Sequence, residues 1–218
     1  MADDDEALVE RAMFPLGSVL FPHMPLALRV FEQRYLDMLA EILRDEPPEF
    51  GVVLIERGNE VGGGEKRYSH GTVAQIRELD AAEGFVAVGA EGADRFEVVE
   101  WLEDAPYPRA LVRPLPRLEF SDELAGTRER AERIVRRTLA VASEFADQRY
   151  SSAVQLADDP VEAVWQLAAI APLGSFDQEQ LLRAGSLQVL LDGIIEHTLA
   201  AEEVVRMSMD FDDQPDSD

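Results

Sequence analysis

From Met13 to about Pro116 the apolar residues arrive in short runs broken by turn formers. Beyond Pro116 they recur every three or four positions. The first period belongs to strands and the second to helices. FGVVLI, residues 50–55, is a continuous apolar run bounded by Pro47-Pro48 and Gly58. HGTVAQIREL, residues 70–79, alternates, with Thr72, Ala74 and Ile76 on one face and Val73, Gln75 and Arg77 on the other. Residues 84–90, 95–102 and 109–115 complete the set, separated by turn residues such as the stretch 80–84 and Gly92. Strands recurring at spacings of about 8–12 residues predict a small barrel or strongly bent sheet. One helix interrupts them: Phe31, Tyr35, Met38, Leu39, Ile42 and Leu43 fall on one helical face, and Pro47 marks its end.

The second half reads as helices throughout. Ser121 is placed to cap a helix whose apolar face holds Leu124, Ala131, Ile134, Val135 and Leu139. Asp158-Asp159-Pro160 is a start signal, a carboxylate cap followed by proline at the first helical position. The helix it opens carries Val161, Val164, Trp165, Leu167 and Ala168, with Trp165 in the core. Ser175 to Gln178 has capping-box form, and its short helix stops at Gly185. Ser186 opens a last helix with Leu187, Leu190, Leu191, Ile194, Ile195 and Leu199 inward. From Met207 the chain is too polar and charged to order itself. The expected division is an acidic tail over 1–11, a β-rich subdomain over 12–117, a helical subdomain over 118–206 and a disordered acidic tail over 207–218.

The stretch MFPLGSVLFPHMPLALRVFEQRY, residues 13–35, is apolar like a core strand yet holds Pro15, Pro22 and Pro25. Proline cannot donate a ladder hydrogen bond, so it belongs at strand edges, ends and bends. The segment therefore reads as a strand bending at Gly17 and closed off by Pro22 and Pro25. A second strand, marked by Leu26, Leu28 and Val30, then feeds a helix at Glu32. This string closely resembles the opening of the Lon protease N-terminal domain, the LON substrate-binding domain. The likeness continues at FGVVLIERGNEVGG (50–63), GTVAQI (71–76), GADRFEVVE (92–100) and PYPRALVRPLP (106–116), and in the tail LLRAGSLQVLLDGIIEHTLAAEE. Gln33 stands where the family usually has proline, and His23-Met24 replaces a glycine-led turn. The resemblance implies an α+β fold, a PUA-like β pseudo-barrel with one inserted helix followed by an α-helical bundle. It also implies recognition of unfolded or exposed protein segments, in a stand-alone form without ATPase and protease modules.

Catalytic chemistry is not visible. The phosphate loop GxxxxGK[ST] needs lysine next to serine or threonine, and the one lysine, Lys66 in GGGEKRYSH, fails that test. A Ser–Lys dyad would have to use the same residue, and a lysine in a glycine-rich charged loop is not desolvated enough to act as a base. His23, His70 and His197 lie far apart and form no HExxH pair, so no metal is expected. The chain has no cysteine. Thiol catalysis, disulfides and cysteine-ligated metal drop out, and no cofactor is expected.

Charge narrows the partners. Forty-four acidic residues against twenty basic ones give a formal net charge of −24. Such a surface repels phosphate backbones, which opposes an RNA- or nucleoside-binding reading drawn from PUA-like barrels. An apolar share of 46% supports an ordinary core, and no apolar run is long enough to span a bilayer. The acidic start MADDDEALVER lacks the plan of a signal peptide, which points to the cytoplasm. The expected partner is an unfolded or exposed protein segment rather than nucleic acid or membrane, and an uncovered apolar helix face would add a homodimer. The expected peptide-binding residues are Arg29, Glu32, Arg34 and Tyr35 at the first strand–helix junction, with Trp101 and Tyr107. No catalytic residue is expected.

Overall fold

The structure, a computed structural model, describes residues 8–57, 66–143 and 149–212. The chain forms two compact units, Met1–Arg117 and Leu118–Asp218. The glycine-rich stretch around Gly62–Gly64, and both chain ends with their acidic runs over 1–7 and 213–218, lie outside the described residues.

The first unit holds strands β1 (Val9–Leu16), β2 (Pro25–Val30), β3 (Glu49–Arg57), β4 (Lys66–Ala82), β5 (Phe85–Trp101) and β6 (Arg109–Pro114), with helix α1 (Gln33–Ile42) between β2 and β3. β1 is shared between two neighbours. Residues 13–16 run parallel to 51–54 of β3, and residues 9–12 run antiparallel to 109–112 of β6. β3 pairs with β4, β4 with β5, and the last part of β5 with β6. These pairings close a ring of five strands. β2 stands outside the ring, and among the described strands it is bonded to β5 alone. The result is a pseudo-barrel with one open edge, a mixed six-stranded sheet rather than a clean barrel.

Met13, Val53, Val73, Phe96 and Val112 fill the ring. Its bore leaves no room for side chains where strands approach closest. A Cβ on Gly71 would stand 2.3 Å from the Val52 carbonyl oxygen and 2.5 Å from the Phe96 ring. Pro15 lies in the part of β1 paired with β3 on one side, a single-neighbour position of the kind at which strands accept proline. The two stretches expected as separate strands, 84–90 and 95–102, are one 17-residue strand, β5, and Gly92 lies inside it. Gly92 is therefore not a turn residue. Its lack of a side chain serves a close approach described below.

In α1, Tyr35, Met38, Leu39 and Ile42 are buried. Phe31 and Leu43 do not belong to that face: they are 57% and 44% exposed. Glu32, with φ −73° and ψ 133°, is still extended, so the helical period starts after it and Phe31 points elsewhere.

The second unit opens on a 3-10 turn, Asp122–Leu124, followed by α2 (Ala125–Ala142), α3 (Pro160–Ile170), α4 (Ser175–Leu182) and α5 (Leu187–Asp212). Ser121 precedes the 3-10 turn in extended conformation, and its side chain makes no cap bond. Asp159 does cap α3: its Oδ1 accepts from the backbone N–H of Val161 and of Glu162, both at 2.9 Å, with Pro160 at the first turn. The capping box at Ser175 does not form. Gly174 takes the cap position, and the Gln178 N–H bonds to its carbonyl. Trp165 is buried, as are Leu187, Leu190, Leu191 and Ile194 on α5. Leu199 is 39% exposed, and fully buried Thr198 takes the inward position beside it. α5 also continues past Met207 to Asp212, so residues 207–212 are helical where the sequence predicts disorder. A helix already nucleated by its packed first turns extends at one hydrogen bond per residue, which lowers the demand on composition.

Candidate functional site

β2 owes its place to the turn before it. Pro22 to Met24 fold back with His23 at φ 60°, the left-handed region. The His23 N–H donates to the Gly92 carbonyl at 2.7 Å, and the Gly92 N–H donates to the Met24 carbonyl at 2.9 Å. A Cβ on Gly92 would stand 2.1 Å from the Phe21 carbonyl oxygen. The glycine thus lets β5 touch the backbone of the turn, and this contact seats β2 along the first part of β5.

The alternation PLALRV then divides β2 into two faces. Val30 is buried, with Leu26 and Leu28 half-buried on the same side, while Pro25, Ala27 and Arg29 are exposed. Over the exposed face lies an open trough of about 600 Å³ across β2, β5 and β4, bounded by Ala27, Arg29, Gly89, Glu78 and Asp80. The Arg29 guanidinium sits 5.3 Å from the centre of the Phe85 ring at its end. Beside β2, towards the end of β1 and the start of α1, lies a smaller groove of about 170 Å³. Phe14 and Tyr35 line it and stack at 4.0 Å with an interplanar angle of 13°. Leu16, Leu28 and Phe31 add apolar surface.

Of the residues expected to bind peptide, four gather at this junction. Arg29 and Glu32 line the groove, and Arg34 donates to Glu32 at 3.1 Å while lying 4.5 Å from the centre of the Tyr35 ring. Of the four, only Arg29 is exposed. Tyr35 is 1% exposed, so it supports the groove as a stacked wall instead of reaching a ligand from the surface. The two aromatic residues from elsewhere do not join the junction. Trp101 ends β5, packs on the ring core and carries the Arg67 guanidinium 4.5 Å from its ring centre, with Arg67 held by Asp104 at 2.8 Å. Tyr107 is buried. Burial, followed by its hydrogen bond to Glu41 of α1, pushes its hydroxyl up to about 12, so it is a neutral packing group at any ordinary pH.

Sequence reading missed Phe31 as a surface residue and Ala27 as part of the exposed face. The face was readable as the complement of Leu26, Leu28 and Val30. Phe31 was hidden because its spacing to Tyr35 also fits a helix. The second unit has its own cavity, about 420 Å³, lined by Leu139, Ile170 and Val205 with Thr138, Gln178, Arg149 and Tyr150 as polar members, and none of the expected site residues lines it. Among the described residues no three histidine, aspartate or glutamate side chains converge as a metal site, and no helix is long and apolar enough to cross a membrane.

A strand pseudo-barrel with one open-edged strand, a groove at its first strand–helix junction and a following helical unit define an α+β fold. The chain belongs to the ATP-dependent protease La (LON) substrate-binding domain family, whose profile matches residues 10–199. It is 24% identical to a Lon protease of Phenylobacterium zucineum over 211 residues, covering 95% of this chain and 26% of that protein. It is 36% identical over 98 residues to Lon protease 2 of Myxococcus xanthus, covering 44% of this chain and 12% of that protein. The chain thus spans about a quarter or less of these relatives' length. Among solved structures it resembles a Lon N-terminal domain protein from Xanthomonas campestris, with TM-score 0.58 and 24% identity, and the N-terminal domain of Mycobacterium avium complex Lon protease, with TM-score 0.62 and 15% identity. Each covers 88% of this chain and 98% of the other.

Proposed function

We propose that this chain is a non-catalytic LON-domain protein that binds polypeptide segments in the cytoplasm, as an adaptor or regulator linked to proteolysis. The observation that carries the reading is Phe31. Phe31, 57% exposed, lines one groove together with Phe14, Leu16 and Leu28, so its ring belongs to a contiguous apolar surface, and the chain stands in a family named for substrate binding. Unfolded segments expose the side chains that such a groove covers, whereas folded proteins bury them. The non-catalytic part of the reading rests on the side chains within this chain: Lys66 has no serine or threonine beside it, and the histidines are dispersed.

Phe31→Ser tests the assignment. Because Phe31 is mostly exposed, the substitution is expected to leave stability within about 0.5 kcal/mol of the parent. Binding of reduced and alkylated lysozyme, an unfolded basic chain, followed by calorimetry or anisotropy, is expected to weaken roughly tenfold, as loss of a buried aromatic anchor commonly does. Unchanged binding with Phe31→Ser would remove the groove from the account. Casein left uncut by the parent protein, with and without ATP, is the expected result for a binding protein.

A further inference from the structure

The hydrogen-bond parity of β2 says how a segment would dock. The Gly92 N–H bonds to the Met24 carbonyl, one position beyond the Pro25–Glu91 pair at which the ladder begins. In an antiparallel pair such bonded positions alternate. Leu26, Leu28 and Val30 therefore face Ala90, Val88 and Val86 with their backbone groups, and Ala27 and Arg29 turn their N–H and C=O away from β5. Among the described residues no strand lies on that side, and no turn or side chain is bonded to the backbone of Ala27 or Arg29. Pro25 fits the same parity, since its missing donor would also have pointed outward. The apolar groove runs along this free edge, with Phe14, Leu16 and Phe31 on its far side.

We infer that the outer edge of β2 takes up an extended client segment as an added strand, one of alternating apolar residues and net positive charge. This deepens the proposed function and rests on it. Backbone donors and acceptors at Ala27 and Arg29 supply sequence-tolerant affinity, as in other strand-addition modes. Side chains of an added strand continue the faces of the sheet. The core-side face, marked by Leu28 and Val30, leads into the groove, and its volume suits one or two apolar side chains. The opposite face continues that of Ala27 and Arg29 towards solvent. Charge selects the client over a second copy of the chain: two molecules at −24 repel each other, whereas a basic segment is drawn in. Arg29 opposes a cation at its own position and so helps to set register.

Ala27→Pro tests the inference. The substitution removes an outward N–H and leaves every bond from β2 to β5 in place, and an extended residue such as Leu26 tolerates proline after it. The probe is a fluorescent peptide of about ten residues alternating valine and lysine, a typical strand length. Parent protein is expected to bind it, and Ala27→Pro to bind it at least about fivefold more weakly, the effect of one lost hydrogen bond plus the ring's bulk. The same peptide with alternate backbone N-methylation is expected to lose binding to the parent protein, an arm that needs no variant to fold. Peptide binding should also slow amide exchange at Ala27 and Arg29. Equal affinity for Ala27→Pro or for the N-methylated peptide would overturn strand addition. Unfolded alkylated lysozyme that still binds in a Phe31-dependent way while the peptide does not would overturn it too and leave the polypeptide-binding reading standing. Absence of binding to either probe would remove both.

Discussion

Gly92→Ala is expected to destabilise the protein by roughly 3 kcal/mol or more, the top of the range for overpacking, because the clash is with main chain. The new methyl would stand 2.1 Å from the Phe21 carbonyl oxygen and 3.0 Å from its carbon. Flexible side chains can swing aside from such contacts; a carbonyl held in a turn cannot. Relief requires the turn to lift off β5. That breaks the bonds between His23, Met24 and Gly92 and lets β2 drift. The urea midpoint should fall sharply. Polypeptide binding should fall with it in whatever fraction remains folded, since β2 carries the groove. Gly89→Ala is the matched control. A Cβ there meets the Glu78 Cβ at an ordinary 3.4 Å, so the cost should stay within about 1 kcal/mol. Equal effects from the two substitutions would mean that close approach at Gly92 does not seat β2.

Arg137→Ala is expected to cost about 2 kcal/mol near neutral pH and to lose that effect in acid. Glu202 is buried on α5 while Arg137 of α2 is about half exposed, which sets the estimate below the full cost of breaking a buried pair. The Arg137 guanidinium grips both carboxylate oxygens, at 3.1 and 2.6 Å, and Arg206 adds a contact at 2.5 Å. The hydrogen bond from Arg137 is the main cause that holds the Glu202 carboxyl below its ordinary range, against the opposing effect of burial. With the folded value depressed, the unfolded chain binds more protons through the acidic window, so this contribution rises with pH. It is fully present above the ordinary glutamate range and fades as pH falls through the folded value. The parent and Arg137→Ala should therefore converge in stability towards low pH, measured as urea midpoints from neutral down to about pH 3, below the ordinary glutamate range near 4.3. A gap that persists undiminished would show that Arg137 acts through its aliphatic stem, not through the carboxylate.

Local signals carried far in this chain, and long-range ones did not. The cap at Asp159 and proline at position 160 produced the helix start that their chemistry dictates. The alternation of β2 was readable for the same reason, since it depends on neighbours a few residues away, whereas the strand expected to bend at Gly17 and run on to Phe21 instead ends at Leu16, and residues 19–21 join no strand. Closure of the strand ring depends on β1 meeting β3 and β6, which lie far along the chain, and no local period encodes those partners. Gly92 misled because glycine in a strand serves either a turn or a close approach, and only the position of the Phe21 carbonyl decides between them. Phe31 misled because the helical spacing to Tyr35 is satisfied on paper, while the extended backbone at Glu32 breaks the period between them. At the candidate site, Arg29 was legible as a charge beside an apolar strand. Tyr107 and Tyr35 were not separable from surface aromatics, since burial by Glu41 or by stacking on Phe14 comes from elements distant in sequence.

The most direct measurement is residue-resolved NMR mapping of the isotope-labelled protein titrated with unfolded, alkylated lysozyme, a basic chain. Shift changes are expected to concentrate on the backbone of Ala27 and Arg29 and on Phe31 and Leu16, the elements that border the groove beside β2. Changes confined to the second unit, or none at saturating concentrations of that chain, would contradict recognition through this junction.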